Sequence, residues 1–270
     1  MLEDLIYDRE EFTFGGVHCD AHNAAFIADS WPVAAEPEIN KYEIPGRHGT
    51  IRFPGTWLKE QLLEGRLYLL SETGEPITYH EMLLRKTEIS TWLRPGGRKQ
   101  LIMDAANDRF YMAEIEHALI IYTDDWGNGR IDIAFTCQPF TYAIREDTAD
   151  ATLDGASAQN AALTVRGNQP APIAMRLVAG AALTWVQLTL GGDTLRLENM
   201  SLTMGQELLI TYDLDSGELM AISHNGSAGM QYMTASSPDE GLKAAPGANT
   251  ISVNADAACA VELTARGRWQ

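Results

Sequence analysis

The segment that decides the interpretation of this sequence is Ile44-Pro45-Gly46-Arg47-His48-Gly49-Thr50. Pro45 fixes φ at about −65° and Gly46 accepts a positive φ, so this pair is expected at the centre of a type II turn. Gly49 allows a second bend directly after Arg47 and His48. The segment therefore predicts a tight turn that presents two basic side chains.

The composition indicates an ordered, globular chain of two domains. The chain has 270 residues, of which 45% are hydrophobic and 21% are charged, and this length exceeds the roughly 100 to 200 residues of a typical single domain. The net charge is −17, and residues 1–150 hold 14 Lys and Arg against 26 Asp and Glu. Specific binding of nucleic acid requires clustered cations opposite the phosphates, and neither half of the sequence supplies them.

Cysteine usage and the amino terminus indicate synthesis in a reducing cytoplasm. Cys19, Cys137 and Cys259 are far apart and match no zinc signature, so buried free thiols are predicted. Met1–Glu11 is acidic and lacks the basic and apolar regions of a signal peptide. No apolar run is long enough to span a bilayer, and we expect no membrane insertion.

One amphipathic helix is predicted over residues 79–93. Thr78 and Glu81 form a capping box, apolar residues follow at helical spacing, and Pro95-Gly96-Gly97 ends the segment. A second, shorter helix over residues 54–63 is possible from the pattern, although Thr56-Trp57-Leu58 fits the start of a strand equally well.

Strands are predicted for the remainder of the first half, and a linker follows. The first half closes with strands at 99–103, 109–122 and 129–138. Between residues 145 and 160 the sequence changes to Asp, Ala, Thr, Ser and Gly, with Leu153 as the one large apolar residue. The sequence thus predicts a first domain over 1–148, a linker over 149–160 and a second domain over 161–270.

Short strands at regular spacing predict a β-sandwich for the second domain. Turn residues separate these strands, which are expected at residues 162–166, 173–178, 183–190, 194–198, 207–212, 218–223, 250–254 and 259–265.

The sequence contains few groups that could perform chemistry. If residues 18–22 formed a strand, His18, Asp20 and His22 would share one face, and a metal site is conceivable there. A loop is the favoured interpretation, because no second cluster completes the ligand set, and neither a metal nor a cofactor is predicted.

The sequence has no nucleophile elbow, HExxH helix or phosphate-binding glycine loop, and the pair Glu114 and Glu116 is expected on solvated surface. We therefore predict that the protein is not an enzyme.

Exposed aromatic residues offer a further kind of site, because sugars stack on them. Trp185 and Tyr212 are expected in the core. Tyr232, within a polar segment, is the candidate for a glycan contact.

Six segments, in order along the whole chain, carry a resemblance to a known family. They are Phe12–Gly16, Ile44–Gly49, the helix Tyr79–Leu93, the strand end Phe135–Phe140, Gly167–Pro172 and Pro246–Ile251. In these motifs the sequence resembles the distal tail (Dit) proteins of phages with long, non-contractile tails.

The resemblance implies a mainly β fold of two domains. The first would be a β-sandwich or split-barrel-like domain with one helix and a hairpin arm, and the second a galectin-like β-sandwich. It also implies that six copies form a ring at the virion tail tip, joining the tail tube protein to the tail-associated hub protein around the DNA channel. Receptor-binding proteins attach to such rings in some phages. Synthesis would take place in the host cytoplasm.

The resemblance gives the 44–49 turn a role in ring formation. Arg47 would form a charge-assisted contact with a neighbouring copy or within the arm, and the alternative is a solvated side chain. The chain lacks the large insertion that carries a carbohydrate-binding module in some relatives. A free carbohydrate-binding, lectin-like adhesion protein is the competing function.

Overall fold

The structure is a computed structural model that describes residues 10–38, 41–43, 45, 48, 50–52, 57–71, 77–94, 96–123 and 129–270. It divides into two compact units, of which the first runs to Thr141 and the second spans Tyr142–Trp269. Each unit has its own hydrophobic core. None of the helices in the described part of the chain has the length and apolar character that a membrane span requires.

The first unit is a curled sheet with one α-helix. Its elements are β1 (Phe12–Phe14), β2 (Val17–His18), β3 (Ala24–Ser30), β4 (Pro37–Glu38), β5 (Lys41–Glu43), β6 (Thr50–Arg52), β7 (Trp57–Leu58), β8 (Gln61–Leu69), α1 (Tyr79–Trp92), β9 (Lys99–Met103), β10 (Arg109–Glu114), β11 (Ile121–Thr123) and β12 (Gly129–Ala143). The main sheet has the order β2-β1-β9-β10-β12-β8-β3, and β11 also pairs with β12.

Aromatic rings from four elements form the centre of the first core. Phe12 is fully buried, and its ring lies 5.2 Å from Phe26, 5.4 Å from Phe135 and 5.5 Å from Trp92, centroid to centroid. Gly65 on β8 leaves room for this cluster, since a Cβ there would lie 2.4 Å from the Phe26 ring. A glycine at this position is therefore needed because two neighbouring strands approach closely.

The capping box of α1 forms as predicted. The Glu81 backbone N–H donates to Thr78 Oγ1 at 3.3 Å, and the Thr78 N–H donates to the Glu81 carboxylate at 2.8 Å. The second of these bonds stabilises the ionised carboxylate and lowers its pKa. Met82 and Ile89 of the helix are buried in the core. Residues 79–92 form the helix, one residue fewer than predicted.

Removal of this cap tests whether the helix depends on it. Thr78→Ala should destabilise the first unit by about 1 kcal/mol, because the backbone N–H group of Glu81 loses its acceptor. Thr91→Ala makes the same chemical change within the helix, where Thr91 bonds to the Thr87 carbonyl; it should be neutral or slightly stabilising. Urea denaturation of both variants measures the difference, and equal effects would contradict this role of Thr78.

The second unit is a sandwich of two sheets. Its strands are β13 (Asp147–Asp154), β14 (Gln159–Val165), β15 (Ala171–Ala179), β16 (Val186–Leu190), β17 (Asp193–Leu197), β18 (Glu207–Asp213), β19 (Leu219–His224), β20 (Ser227–Ala228), β21 (Lys243–Ala244), β22 (Gly247–Ala255), β23 (Ala258–Ala265) and β24 (Arg268–Trp269). One sheet has the order β13-β23-β15-β18-β19-β20, with β21 beside β15, and the other has the order β14-β22-β16-β17. Alternate residues of both sheets form the core, as period-2 strands require.

The outer edge of β17 is covered by a segment without regular strand structure. Tyr232 accepts a hydrogen bond through its carbonyl from the Glu198 N–H, at 2.8 Å, and the Thr234 N–H donates to the Arg196 carbonyl at 3.0 Å. Leu197 and Met233 form an isolated bridge between these two bonds. The backbone N–H of Glu198 and the carbonyl of Arg196 at this edge are therefore satisfied within the unit.

The two ends of the second unit are joined by arginine side chains. Arg268 forms an ion pair with Glu218, and both side chains are about nine-tenths buried, with exposures of 8% and 11%. Arg266 donates to the carbonyls of Ala143 and Ile144 at 2.8 and 2.9 Å. The last strand of the unit is thereby fixed to its first residues.

The predicted fold class is confirmed. The chain is mainly β, the described helix α1 and a hairpin belong to the first unit, and the second unit is a β-sandwich of the kind that the family resemblance implies.

Two local predictions were wrong. Residues 149–160, predicted as a linker, lie mostly in β13 and β14, and the unit boundary falls between Thr141 and Tyr142. The buried positions of β13 are Ala151 and Leu153, and a single large apolar residue gave little apolar signal. Where the described residues cover 54–63, they form β7 and the start of β8 and not a helix.

The strand boundaries also differ from prediction in the first unit. The strand expected over 109–122 is interrupted, because β10 ends at Glu114 and β11 begins at Ile121. The strand expected over 129–138 continues to Ala143.

Candidate functional site

In sequence, the predicted turn falls between β5 and β6, within the segment 37–58 whose paired strands are called the hairpin. Strands β4 and β7 pair at its base, and β5 and β6 pair nearer the tip, with Glu43 opposite Thr50. Pro45 and His48 lie in turn or bend conformation between β5 and β6, and both are exposed. The other four residues of the predicted site, Ile44, Gly46, Arg47 and Gly49, lie outside the described residues.

The hairpin leaves the main sheet between two neighbouring strands. It is inserted between β3 and β8, which pair with each other from Ala24 opposite Leu69 to Ser30 opposite Glu64. At its base Lys59 bonds to Glu36 twice, through the backbone at 2.8 Å and through the side chains at 3.2 Å. These two bonds fix the start of the hairpin to the beginning of β8.

Exposed apolar side chains are concentrated in the first unit. Val33, at the base of the hairpin, is 97% exposed. The other large exposed apolar residues of the described first unit are Val17, Trp31, Leu62, Tyr79, Leu83, Leu84, Ile120 and Tyr122, against Ile144, Met204, Leu219 and Met230 in the second unit. Some of them border a groove of about 570 Å³ between α1 and residues 117–121. Surfaces of this kind are typical of protein association.

Residues 18–22, where the sequence left a metal site conceivable, do not form a strand. Cys19–His22 form a turn of 3-10 helix, so His18, Asp20 and His22 do not share a face. His22 packs against Trp92, with ring centroids 4.7 Å apart, and burial lowers its pKa.

His18 instead lies among three carboxylates. Its Nε2 is 3.3 Å from Asp104 Oδ2 and 3.9 Å from Glu11 Oε2, and its Nδ1 is 3.6 Å from Asp20 Oδ2. Glu11 and Asp104 were not identified from the sequence. The pairing of β1 with β9 brings Glu11 and Asp104 together. They are 93 positions apart in the chain, so no short sequence motif predicts this contact.

The predicted glycan contact, Tyr232, is half-buried. Its ring packs against the core of the second unit and lies 4.8 Å from the His224 ring. The exposed platform expected from its polar neighbours is thus only partly accessible, and glycan binding at Tyr232 stays a prediction.

The three cysteines are free and buried, as predicted. Burial raises the pKa of Cys19 and Cys259 to about 11 and that of Cys137 to about 12. These thiols are protonated at neutral pH, which suits packing and does not suit nucleophilic chemistry.

Over nearly its whole length, the chain has the fold of phage tail-hub proteins. It is similar to the Dit protein of SPP1, described as a paradigm of the hub adsorption apparatus in phages that infect Gram-positive bacteria, with 15% identity, a TM-score of 0.68, and coverage of 97% of this chain and 99% of that one. It is also similar to a chain of the phage P2 baseplate in its activated conformation with Ca, with 9% identity, a TM-score of 0.55, and coverage of 96% and 98%. Neither a protein-family model nor a curated protein matches the sequence. The distal tail fold that the ordered motifs indicated is thereby confirmed.

Proposed function

We propose that this chain is a structural protein of a phage or prophage tail tip. Six copies form a ring that joins the tail tube protein to the tail-associated hub or baseplate proteins and surrounds the DNA channel. The observation that carries the proposal is the end-to-end fold similarity to two chains of such assemblies, which spans both units. Because one fold can serve many functions, the surfaces of this chain must also suit the role.

The surface of the first unit suits a ring. A closed ring requires that one patch of each copy binds a different patch of the next copy. The hairpin 37–58 supplies a projecting patch, and the apolar residues around α1 and Val33 supply others. We therefore assign ring formation to the first unit, with Arg47 in a contact at the hairpin tip.

The charge of the chain suits a channel through which DNA passes without being held. The net charge is −17, and negative surfaces repel phosphates. Specific binding of nucleic acid therefore has no part in the proposal. Nor does membrane insertion or catalysis.

Attachment to other tail proteins places the chain in the virion tail tip after synthesis in the host cytoplasm. The tube and hub proteins are the partners of the ring, and receptor-binding proteins are a further partner at its rim. The competing proposal is a lectin-like adhesion protein, which would act as a single copy and bind glycans.

Mass in solution tests the proposal most directly. Light scattering of the untagged chain, alone and mixed with the tail tube protein, should give a species of six times the 29.7 kDa chain mass, and negative-stain images should show rings. Single copies in both conditions would contradict the ring. Glycan-array binding by those single copies would favour the lectin.

Two variants, one beside the base of the hairpin and one in the predicted turn, test which surface forms the ring. Val33→Asp and Arg47→Glu should each convert rings into single copies, because the first places an unpaired charge in an apolar contact and the second reverses a charge. Val33 is already 97% exposed in the single chain, so its substitution should leave the fold intact. Leu219→Asp is the matched control, since Leu219 is 69% exposed in the second unit. Rings that survive both hairpin variants would refute this surface.

A further inference from the structure

We propose that Glu11, His18 and Asp104 form a binding site for a divalent transition metal, with Zn²⁺ as the reference ion. The site is independent of the ring. It combines one imidazole nitrogen with two carboxylate oxygens, a donor set that zinc accepts in proteins. All three ligand atoms lie within 4.8 Å of one another.

The distances from His18 Nε2 to the two carboxylates are close to those around a tetrahedral ion. Ligand bonds of about 2.0 to 2.2 Å place two donors of a tetrahedral Zn²⁺ about 3.3 to 3.6 Å apart. His18 Nε2 lies 3.3 Å from Asp104 Oδ2 and 3.9 Å from Glu11 Oε2. The two carboxylate oxygens lie within 4.8 Å of each other. An ion would draw these side chains closer together, and a water molecule would take the fourth position.

The sheet itself holds the three ligands in place. The backbone N–H of Asp104 donates to the Glu11 carbonyl at 2.9 Å, directly beyond the paired residues Phe12 and Met103. His18 is fixed by β2, where it pairs with Thr13. The ligands thus come from the ends of three neighbouring strands, and all three side chains are partly exposed, so that an ion can enter from solvent.

Asp20 completes the arrangement by orienting the imidazole. Without an ion, the Asp20 N–H donates to His18 Nδ1 at 3.2 Å, so a neutral ring carries its proton on Nε2, between the two carboxylates. An ion at Nε2 requires the proton on Nδ1, which then cannot accept from the Asp20 N–H. Ion binding must therefore break this bond, and the Asp20 carboxylate, 3.6 Å from Nδ1, must move closer to accept the Nδ1 proton. A carboxylate behind a ligating histidine is the usual partner of such a ligand.

The charge around His18 also favours a cation. Three carboxylates surround one imidazole, and two of them, Glu11 and Asp104, lie on its Nε2 side. The other member of the predicted trio, His22, is stacked on Trp92. Cys19, although adjacent in sequence, is fully buried.

Calorimetric titration of the EDTA-treated, untagged full-length protein with Zn²⁺ tests the site. We expect one ion per chain and a higher melting temperature with Zn²⁺ than without. Glu11→Gln, His18→Asn and Asp104→Asn should each weaken binding at least tenfold. Asp20→Asn should weaken it by about 10- to 100-fold, the range found for such outer partners. Ca²⁺ should bind far more weakly, because it prefers six to eight oxygen ligands.

Two controls separate this site from general attraction of cations. Asp108 lies four residues after Asp104 and pairs with Arg109. Asp108→Asn removes one negative charge, as Asp104→Asn does, and should leave the affinity for Zn²⁺ unchanged. Cys19→Ser should also leave it unchanged. The proposal is overturned if no Zn²⁺ binds, if Asp104→Asn binds as the parent does, or if Cys19→Ser abolishes binding. Circular dichroism of each ion-free variant shows whether the fold is retained.

Discussion

Arg268→Met should destabilise the second unit by about 3 to 5 kcal/mol, because the variant leaves the Glu218 carboxylate buried without its cation. The two side chains are 8% and 11% exposed, and Tyr142 donates a further hydrogen bond to Glu218 at 3.4 Å. Glu218 directly precedes β19, and β15 and β23 belong to the same sheet as β19. Hydrogen exchange, followed peptide by peptide, should therefore show faster exchange in β15 and β23.

Two comparison variants define the cause of this loss. Arg176→Met breaks an ion pair with Glu207 whose side chains are 53% and 41% exposed, and it should cost less than about 1 kcal/mol because solvent screens the pair. The double variant Arg268→Met and Glu218→Gln should recover part of the lost stability, since no buried charge remains. A loss in Arg268→Met no larger than that in Arg176→Met would show that the buried pair does not hold the unit together.

Phe12→Ala should destabilise the first unit by about 3 to 5 kcal/mol, through the loss of buried surface and the cavity that remains. Phe12 is fully buried and contacts aromatic rings on β3, β12 and α1. The substitution therefore removes the contact that joins the helix to the two sides of the sheet. We expect ring formation to be lost with it, if the first unit forms the ring.

Leu62→Ala is the control for Phe12→Ala. Leu62 lies on β8 with about half of its surface exposed, and its truncation should cost less than about 1 kcal/mol. Urea denaturation gives both values. A Phe12→Ala variant as stable as Leu62→Ala would mean that the aromatic cluster is not the centre of the core.

The elements predicted correctly from sequence are those whose signals are local. Thr78 and Glu81 mark the start of α1 because a capping box needs only four consecutive residues. The strand Lys99–Met103 was predicted with its observed bounds, and most strands of the second unit were found to within a few residues. Turn residues and period-2 alternation are sufficient for these elements.

The features missed from sequence depend on contacts between distant residues. Residues 149–154 were included in the predicted linker because Leu153 is the one large apolar residue that β13 presents to the core, and the pairing of β13 with β23 makes it a strand. The cluster of Glu11, His18 and Asp104 requires the register of three strands, which no short pattern encodes. Sequence analysis identified His18 and favoured a loop there, but the partners it considered for a metal site, Asp20 and His22, were those that a strand would bring to one face, and the chain forms a 3-10 turn.

The segment that runs along β17 affects whether copies of the chain can associate through this strand edge. An open strand edge offers unsatisfied backbone groups to any similar edge nearby, and this is a common route to irregular polymers. Here Tyr232, Met233 and Thr234 already occupy that edge. A second copy is therefore hindered from adding a strand to β17 where these residues pair with it.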